Sequence, residues 1–330
     1  MSPLTFRRAT PLDKVAVLAL SAKIDEDYLQ YVFDDWVDEE PGGFYLAEDT
    51  DRGLVAVVSL AVTGPGEVFL RGMRVDPDYQ GRGLGTEFAR FQFEEAVRLG
   101  AKVVRLTTWE GNYRVHKMME RLGWQKSAKF LVVERRLAAT EKTVGVFRAA
   151  GADGTDGADG ADGAVARTAG AGDIPLVRSV LREWPPGDLV ACPHDHWMVC
   201  AGWFDVPAEV AAGKVFTDGR AVMILSTFDY PGESGVVVRY LGGPAEAAAS
   251  LASYAASIAQ RLGGRMLCAS VPCSMSGPLL AGFDLTDPPP PPPEQEGIGA
   301  MGPAATSQPN PSDYLMRLFV FEKRPSVAGL

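Results

Sequence analysis

Met73-Arg74-Val75-Asp76-Pro77-Asp78-Tyr79-Gln80-Gly81-Arg82-Gly83-Leu84-Gly85-Thr86 is the stretch whose reading decides the fold. It opens as the end of a strand and is broken by Pro77. It then turns through glycines into a segment where Leu84, Phe88, Phe91 and Ala96 recur at helical spacing. The first N–H groups of a helix have no partner of their own and lie at the positive end of its dipole. Glycines let an anion approach that backbone closely. The implied ligand is a phosphate or pyrophosphate, with Arg82 as a cation at the mouth. Dinucleotide-binding units use a related loop, but there the strand comes first and an acidic residue follows about 20 residues on. Here the strand is the fourth or fifth element, the next strand ends on Thr107-Thr108, and no Walker lysine is present.

Outward from the loop, periodicity and turn residues predict a strand near 5–8, a helix over 12–24 and a short helix over 28–37. Strands follow at 43–48, 53–63 and 67–75, then a helix over 83–99, a strand at 102–108, a helix over 113–122 and a strand at 127–136. Antiparallel strands followed by strand–helix–strand–helix–strand make an α/β domain with a mixed central sheet and flanking helices.

The chain then repeats itself. RRATPLDKVAVL from Arg7 resembles RTAGAGDIPLV from Arg167, with Asp13 and Asp173 as the respective helix caps. Leu99-Gly100 and the apolar run after it match Leu262-Gly263, Leu122-Gly123-Trp124 matches Ala281-Gly282-Phe283, and FLVVERR from Phe130 matches LFVFEKR from Leu318. The order is the same in both halves, so two whole domains are expected in tandem. The boundaries read as a first domain over 1–148, a Gly/Asp-rich flexible linker over 149–165 and a second domain over 166–330. A Pro-rich loop over 287–312 interrupts the second. Between the strand at 235–240 and the helix at 245–260 the second copy has only Leu241-Gly242-Gly243-Pro244. It is therefore degenerate: it keeps the fold, has no phosphate loop, and serves to cover or complete the first site.

The chain has 330 residues, 46% apolar, and a formal charge of −10, which leaves no general attraction for nucleic acid or anionic membrane. No apolar run is long enough to span a bilayer, and the N-terminal residues lack a signal-peptide pattern, so a cytoplasmic protein is expected. Cys192, His194, His196 and Cys200 are ligand types that suit zinc, but at no finger spacing. Buried cysteines in a strand and loop are the plainer reading, and no metal is expected.

Residues 67–124 resemble the GCN5-related N-acetyltransferase (GNAT) superfamily. Gln80-Gly81-Arg82-Gly83-Leu84-Gly85 matches its Q/R-x-x-G-x-G/A signature, and Asn112 with Gly123-Trp124 matches its second motif. The resemblance extends over about residues 3–136 and implies acetyl-CoA as co-substrate. It implies that Met73, Arg74 and Val75 hold the pantetheine arm, that the amides from Gly81 to Thr86 bind the pyrophosphate, and that Asn112 contacts the cofactor near the pantetheine or acceptor. An amine then attacks the thioester directly, while a strand N–H polarises its carbonyl. The family often has a tyrosine seven residues after the Asn to protonate the leaving thiolate, where this chain has Met119. Tyr113 or His116 could substitute, although a packed histidine is the plainer reading of His116. Glu67 or Glu110 could be the general base, directly or through water.

The family's first two helices shape the acceptor pocket. Here Asp27, Tyr28, Tyr31, Asp34, Asp35 and Trp36 suit a cationic amine, and Arg71 requires an acidic partner in the substrate or the protein. The layout also resembles the branch containing histidine N-acetyltransferase, which implies the α-amine of an amino acid with its carboxylate near Arg71. The expected function is acetyl transfer to a primary amine of a small molecule. An acyl-CoA-binding sensor and a protein lysine or N-terminal acetyltransferase are the alternatives. The oligomeric state is not legible.

Overall fold

The computed structural model describes residues 4–24, 28–137, 166–183, 189–191, 198–200, 205–230, 233–261, 266–283 and 313–325. The linker 149–165 and the Pro-rich 287–312 lie outside the described residues.

The first half runs β1 (Leu4–Arg8), α1 (Lys14–Ser21), α2 (Leu29–Val37), β2 (Gly42–Asp49), β3 (Gly53–Gly64), β4 (Glu67–Val75), α3 (Leu84–Arg98), β5 (Val103–Trp109), α4 (Tyr113–Arg121) and β6 (Gln125–Arg136). The second half runs β7 (Arg167–Thr168), α5 (Ile174–Arg182), β8 (Leu189–Ala191), β9 (Met198–Cys200), α6 (Val206–Ala211), β10 (Val215–Thr217), β11 (Val222–Tyr230), β12 (Glu233–Gly242), α7 (Ala245–Arg261), β13 (Met266–Pro272), α8 (Ser276–Gly282) and β14 (Asp313–Lys323). The helix expected from Leu12 starts instead as a 3-10 turn over Pro11–Asp13. There Asp13 is drawn back onto Arg7 (2.6 Å) and the Thr10 amide (2.8 Å). The second half repeats this corner: Asp173 takes Arg167 at 2.7 Å and the Gly170 amide at 2.8 Å. The internal repeat is therefore one of geometry as well as of sequence.

One face of the first half's sheet carries α1 and α2, with Val17, Leu20, Leu29, Phe33 and Trp36 packed on Phe44, Leu46 and Val57. The other carries α3 and α4, with Leu84, Phe88 and Met119 packed on Tyr45, Val68, Leu70 and Leu106. These are the apolar stripes of amphipathic helices meeting alternate strand positions.

The halves do not close separate sheets. Twelve strands form one sheet in the order β1-β2-β3-β4-β5-β14-β6-β13-β12-β11-β10-β7. The last strand of the second half, β14, pairs antiparallel with β5 and β6 of the first. In turn β6 pairs antiparallel with β13 of the second. Each half thus completes the other's sheet with its final strand, while the boundary expected near 148 lies outside the described residues. A buried ion cluster sits across this join. Arg105 on β5 pairs with Glu67 on β4, both almost fully buried, and its Nε lies 3.3 Å from Glu322 Oε2 on β14.

Removing one member of a buried ion pair leaves an uncompensated charge, at a cost of about 3–5 kcal/mol. Arg105→Met is expected to lower stability by about that much, and adding Glu67→Gln to recover part of it. Urea unfolding should show one transition for both halves, because neither has a complete sheet without the other.

Candidate active site: a splayed strand pair and a glycine loop

The site begins with a register change. Between β3 and β4, Val57 faces Arg74 but Ser59 faces Arg71, so β4 spends one residue more than β3. Gly72, inside this bulge, has φ +65°, and a Cβ there would lie 2.5 Å from the Trp36 ring. A bulge bends its strand. The parallel ladder between β4 and β5 accordingly runs only from Glu67↔Val103 to Leu70↔Leu106, although both strands continue. Beyond Leu70 a wedge opens, with 71–75 on one wall and 107–109 on the other. Met73, Arg74 and Val75, the expected pantetheine contacts, lie on its first wall.

The glycine loop caps the wedge. The Asp76 carboxylate accepts from the Asp78 amide (3.0 Å) and from Lys23 Nζ (2.5 Å), which fixes the turn over Pro77–Tyr79. Tyr79 is buried beneath the loop, with the Arg82 guanidinium 5.5 Å from its ring centroid. Gly81 and Gly83 have φ +74° and +88°, and a Cβ at either would meet nothing within 4 Å. Backbone conformation demands glycine there, and the space above is open. Among the described residues the amides from Gly81 to Gly85 have no acceptor, as an anion site at a helix start requires. The Thr86 amide is different. It donates to the Gly83 carbonyl at 3.0 Å and is spent on the first turn of α3, so the amide cradle is shorter than expected. Gln80 acts as a brace: its Nε2 donates to the Val75 carbonyl at 3.4 Å, and Arg114 donates to its Oε1 at 3.5 Å. Arg114, a second cation beside the loop, was missed in the sequence because nothing in its spacing ties it to residues 80–86.

On α4, Asn112 is the N-cap. Its Oδ1 accepts from the Val115 amide (3.4 Å), and its Nδ2 donates to Thr108 Oγ1 (2.9 Å). Met119 is buried in the core against α3 and the sheet. His116 shares that buried face. Its Nε2 lies 3.1 Å from the Trp109 carbonyl, so that nitrogen carries the proton. Its ring packs edge-on against Phe319 (5.2 Å) and Phe321 (5.3 Å) of β14. Burial pushes its pKa below the usual 6.5, so the ring is neutral near pH 7. The geometry is that of a packed histidine. Tyr113 opens α4 nearby, 6.3 Å from the His116 ring.

The two carboxylates suggested as bases part company. Glu67 sits at the closed end of the ladder, 1% exposed and paired with Arg105. That places it four residues before Arg71, where the wedge opens, with its charge against Arg105. Glu110 follows β5 at the open end, where it pairs with Lys129 of β6.

On the acceptor side, Arg71 finds its acidic partner inside the protein. It pairs with Glu39, donates to Ser59 Oγ at 3.1 Å, and lies 4.2 Å from the Trp36 ring centroid. Tyr28 packs edge-on to Trp36 at 6.0 Å, with Arg74 5.1 Å from its ring. Tyr31 is not brought there. It is 55% exposed, on the outer face of α2 with Asp34 and Asp35, because the inner face is taken by Val32, Phe33 and Trp36. Glu39 carried no sequence signal, since it lies in the turn after α2. The second half also contributes: β8 packs against β12 and β13, and β9 reaches β3 of the first half.

Of the suggested metal ligands, Cys192, His194 and His196 lie outside the described residues, as does the side chain of Cys200. Among the described residues no group of three or more metal-ligating side chains occurs, and no helix is long and apolar enough to cross a membrane.

Residues 12–124 match the sequence profile of the acetyltransferase (GNAT) family. No curated protein matches the chain in sequence. Among solved structures, a GCN5-related N-acetyltransferase from Sphaerobacter thermophilus is similar over 99% of this chain and 98% of its own, at 15% identity and TM-score 0.57. A protein from Thermoplasma acidophilum regarded as an acetyltransferase is similar over 97% of this chain and 91% of its own, at 16% identity and TM-score 0.50. Identities this low speak for the fold alone, and they do so along nearly the whole chain. Residues 12–124 thus match the GNAT family of acetyltransferases, a family that uses acetyl-CoA, and the wedge and glycine loop lie within the matched segment.

Gly83→Glu places a carboxylate over the open amides, and calorimetric titration is expected to show acetyl-CoA binding abolished. Met119→Ala removes only core packing and should leave that binding largely intact, with a stability loss of about 2–5 kcal/mol. His116 is neutral when folded, and its affinity for a proton rises on unfolding. Its contribution is therefore present above pH 6.5 and lost as the pH falls through the lowered folded value. Thermal melts of the wild type should weaken as the pH falls below 6.5, and His116→Phe should flatten that dependence.

Proposed function

We propose that the first half transfers the acetyl group of acetyl-CoA to a primary amine of a small molecule, an amino acid among the candidates. One observation carries this reading: the wedge that opens after Leu70 is continuous with a glycine loop whose amides have no acceptor. The amides of Gly81–Gly85, with Arg82 and Arg114 alongside, suit a pyrophosphate. Met73 and Val75 suit the amide groups of a pantetheine arm laid along β4 as an added strand would be. A backbone N–H on the wedge wall would polarise the thioester carbonyl. The amine attacks that carbonyl, its proton passes to water or to Glu110, the C–S bond breaks, and the thiolate leaves and is protonated. Tyr113 is the hydroxyl on α4 that could donate that proton. A coenzyme thiol is acidic enough to leave unaided.

An acceptor carboxylate would exchange with Glu39 as the partner of Arg71, beside the rings of Trp36 and Tyr28, and would belong to a compact molecule. This is the shape of an α-amino acid, the substrate class of the branch that contains histidine N-acetyltransferase. A cytoplasmic setting, with neither nucleic acid nor membrane as partner, accords with the net charge of −10. A second reading, an acyl-CoA-binding sensor, draws on Met119 lying where the family often has its tyrosine acid.

Thiol release from acetyl-CoA, run against amino acids, polyamines, aminoglycosides and peptides, tests these readings. Release with small amines is the expected result. Release with peptides alone would point to a protein acetyltransferase. Binding of acetyl-CoA with no release to any acceptor would sink the enzyme reading in favour of the sensor. Arg71→Ala should raise KM for carboxylate-bearing acceptors while leaving KM for acetyl-CoA unchanged.

A further inference from the structure

A cavity of about 400 Å³ lies at the far end of α3 from the glycine loop, framed by the end of β1, the start of β2 and the last turn of α3. A helix rises about 1.5 Å per residue, so the length of α3 sets it roughly 20 Å from the amides of that loop. Its floor is aromatic. The partly exposed rings of Phe6 and Phe91 are stacked with centroids 4.7 Å apart, and Tyr45 stands against Phe91 at 5.9 Å. Its rim is ionic: Arg8 pairs with Glu40 at one end, and Arg98 pairs with Glu95 at the other. Arg7 also lines it, but its guanidinium is held by Asp13 and Glu48. The fold does not require this composition, and the internal repeat supplies the comparison. Counted from the matched Arg7/Arg167 and Leu99-Gly100/Leu262-Gly263, the places of Phe6, Arg8 and Glu95 are taken in the second half by Ala166, Thr168 and Ile258. Ala166 and Ile258 are buried in the apolar core there. Where its copy buries two apolar side chains, the first half keeps a charged, aromatic-floored cavity within the size range of small-molecule sites.

The hydrogen-bonding capacity left on the rim is lopsided. A guanidinium carries five N–H groups. Arg98, whose side chain is 62% exposed, uses one of them, on Glu95. Arg8 uses two, one on Glu40 and one on the Glu39 carbonyl. On the acidic side each Glu95 oxygen already accepts a bond, Oε2 from Arg98 and Oε1 from the Tyr45 hydroxyl at 3.3 Å. Burial, with Glu95 alongside, pushes the Tyr45 pKa up to about 12, so that hydroxyl stays protonated and committed. Glu40 keeps one oxygen without a hydrogen bond among the described residues. Most N–H groups of the two arginines are therefore unused among the described residues, while the carboxylates are neutralised by their ion pairs. Accessible guanidinium donors favour an anion, and preferentially a planar carboxylate. Stacked, partly exposed rings favour a flat apolar body.

We propose that this cavity is a second ligand site, separate from the wedge, for a small aromatic carboxylate. The ring lies against Phe6 and Phe91, the carboxylate accepts from Arg98, and Arg8 supplies further donors at the opposite end. The test uses the full chain without acetyl-CoA and three probes: phenylacetate, 3-phenylpropionate and phenylacetamide, the last keeping the ring without the charge. Calorimetric titration is expected to show one equivalent of the better carboxylate bound with Kd below about 1 mM, and phenylacetamide bound about tenfold more weakly or less well still. Arg98→Gln alters an exposed side chain and should melt as the wild type does. It should weaken the carboxylate about tenfold and leave phenylacetamide unchanged. Phe91→Ala should weaken all three probes, and if that variant does not fold, Arg98→Gln decides. Arg71→Ala should leave the carboxylate's affinity as it was, which separates this cavity from the acceptor side of the wedge. No binding by either carboxylate, an amide that binds as tightly, or an affinity that falls with Arg71→Ala and not with Arg98→Gln would overturn the proposal. The site does not depend on whether the first half transfers an acetyl group, and thiol release is scored separately.

Discussion

The structure depends on an exchange of final strands. β14 lies between β5 and β6, and β6 lies between β14 and β13, so the middle of the sheet is built from both halves alternately. Backbone hydrogen bonds must be made somewhere, and an open edge at β5 would be a site for foreign pairing. The second half closes that edge. The buried Glu67–Arg105–Glu322 cluster sits on the same join, where a shift of β14 by one residue would turn Glu322 away from Arg105 and place a new side chain there. His116 belongs to the same arrangement, since the rings that enclose it, Phe319 and Phe321, arrive on β14.

From this frame the site follows by one local irregularity. The bulge at Gly72 bends β4 away from β5, and the bend makes the wedge. Gly72 also admits the Trp36 ring, which in turn takes the Arg71 guanidinium on its face. A single residue without a side chain thereby joins the wedge to the Trp36–Arg71 cluster. In the second half a bulge recurs, where Ile224 faces Tyr240 but Leu225 faces Val238, while the glycine loop does not. The sheet geometry is thus separable from the glycine loop: the first is a property of strand register, the second of a short segment and a helix start.

Much of this was legible in the residues. The glycine loop, the order of elements, the twofold repeat and the missing loop of the second copy all rest on local patterns that act over a few residues. The short amide cradle was not, because whether the Thr86 N–H is spent depends on how tightly α3 begins. The roles of the carboxylates were not either. Glu67 and Glu110 look alike as strand-end acids, and only pairing across strands puts one under Arg105 and the other beside Lys129. Tyr31 was misplaced for a related reason: the aromatic content of 28–36 was plain, but which aromatics face inward is settled by the packing of α2 on β2.

By itself, then, the sequence pointed to a glycine loop at Gln80–Gly85 suited to a phosphate, to an α/β fold built twice, and to a likeness of the first copy to an acetyltransferase family. These depend on glycine's freedom at positive φ, on apolar periodicity and on motif spacing, all of them local. The tertiary structure alone decided that the two copies share one sheet by trading their last strands, that Arg71 answers to Glu39, and that Arg239 answers in the same way to Glu209. The first of these depends on which strands pair across more than a hundred residues of chain, a choice made by the whole set of competing edges and not by any segment of it; the others depend on how a helix and the turn after it pack on the sheet.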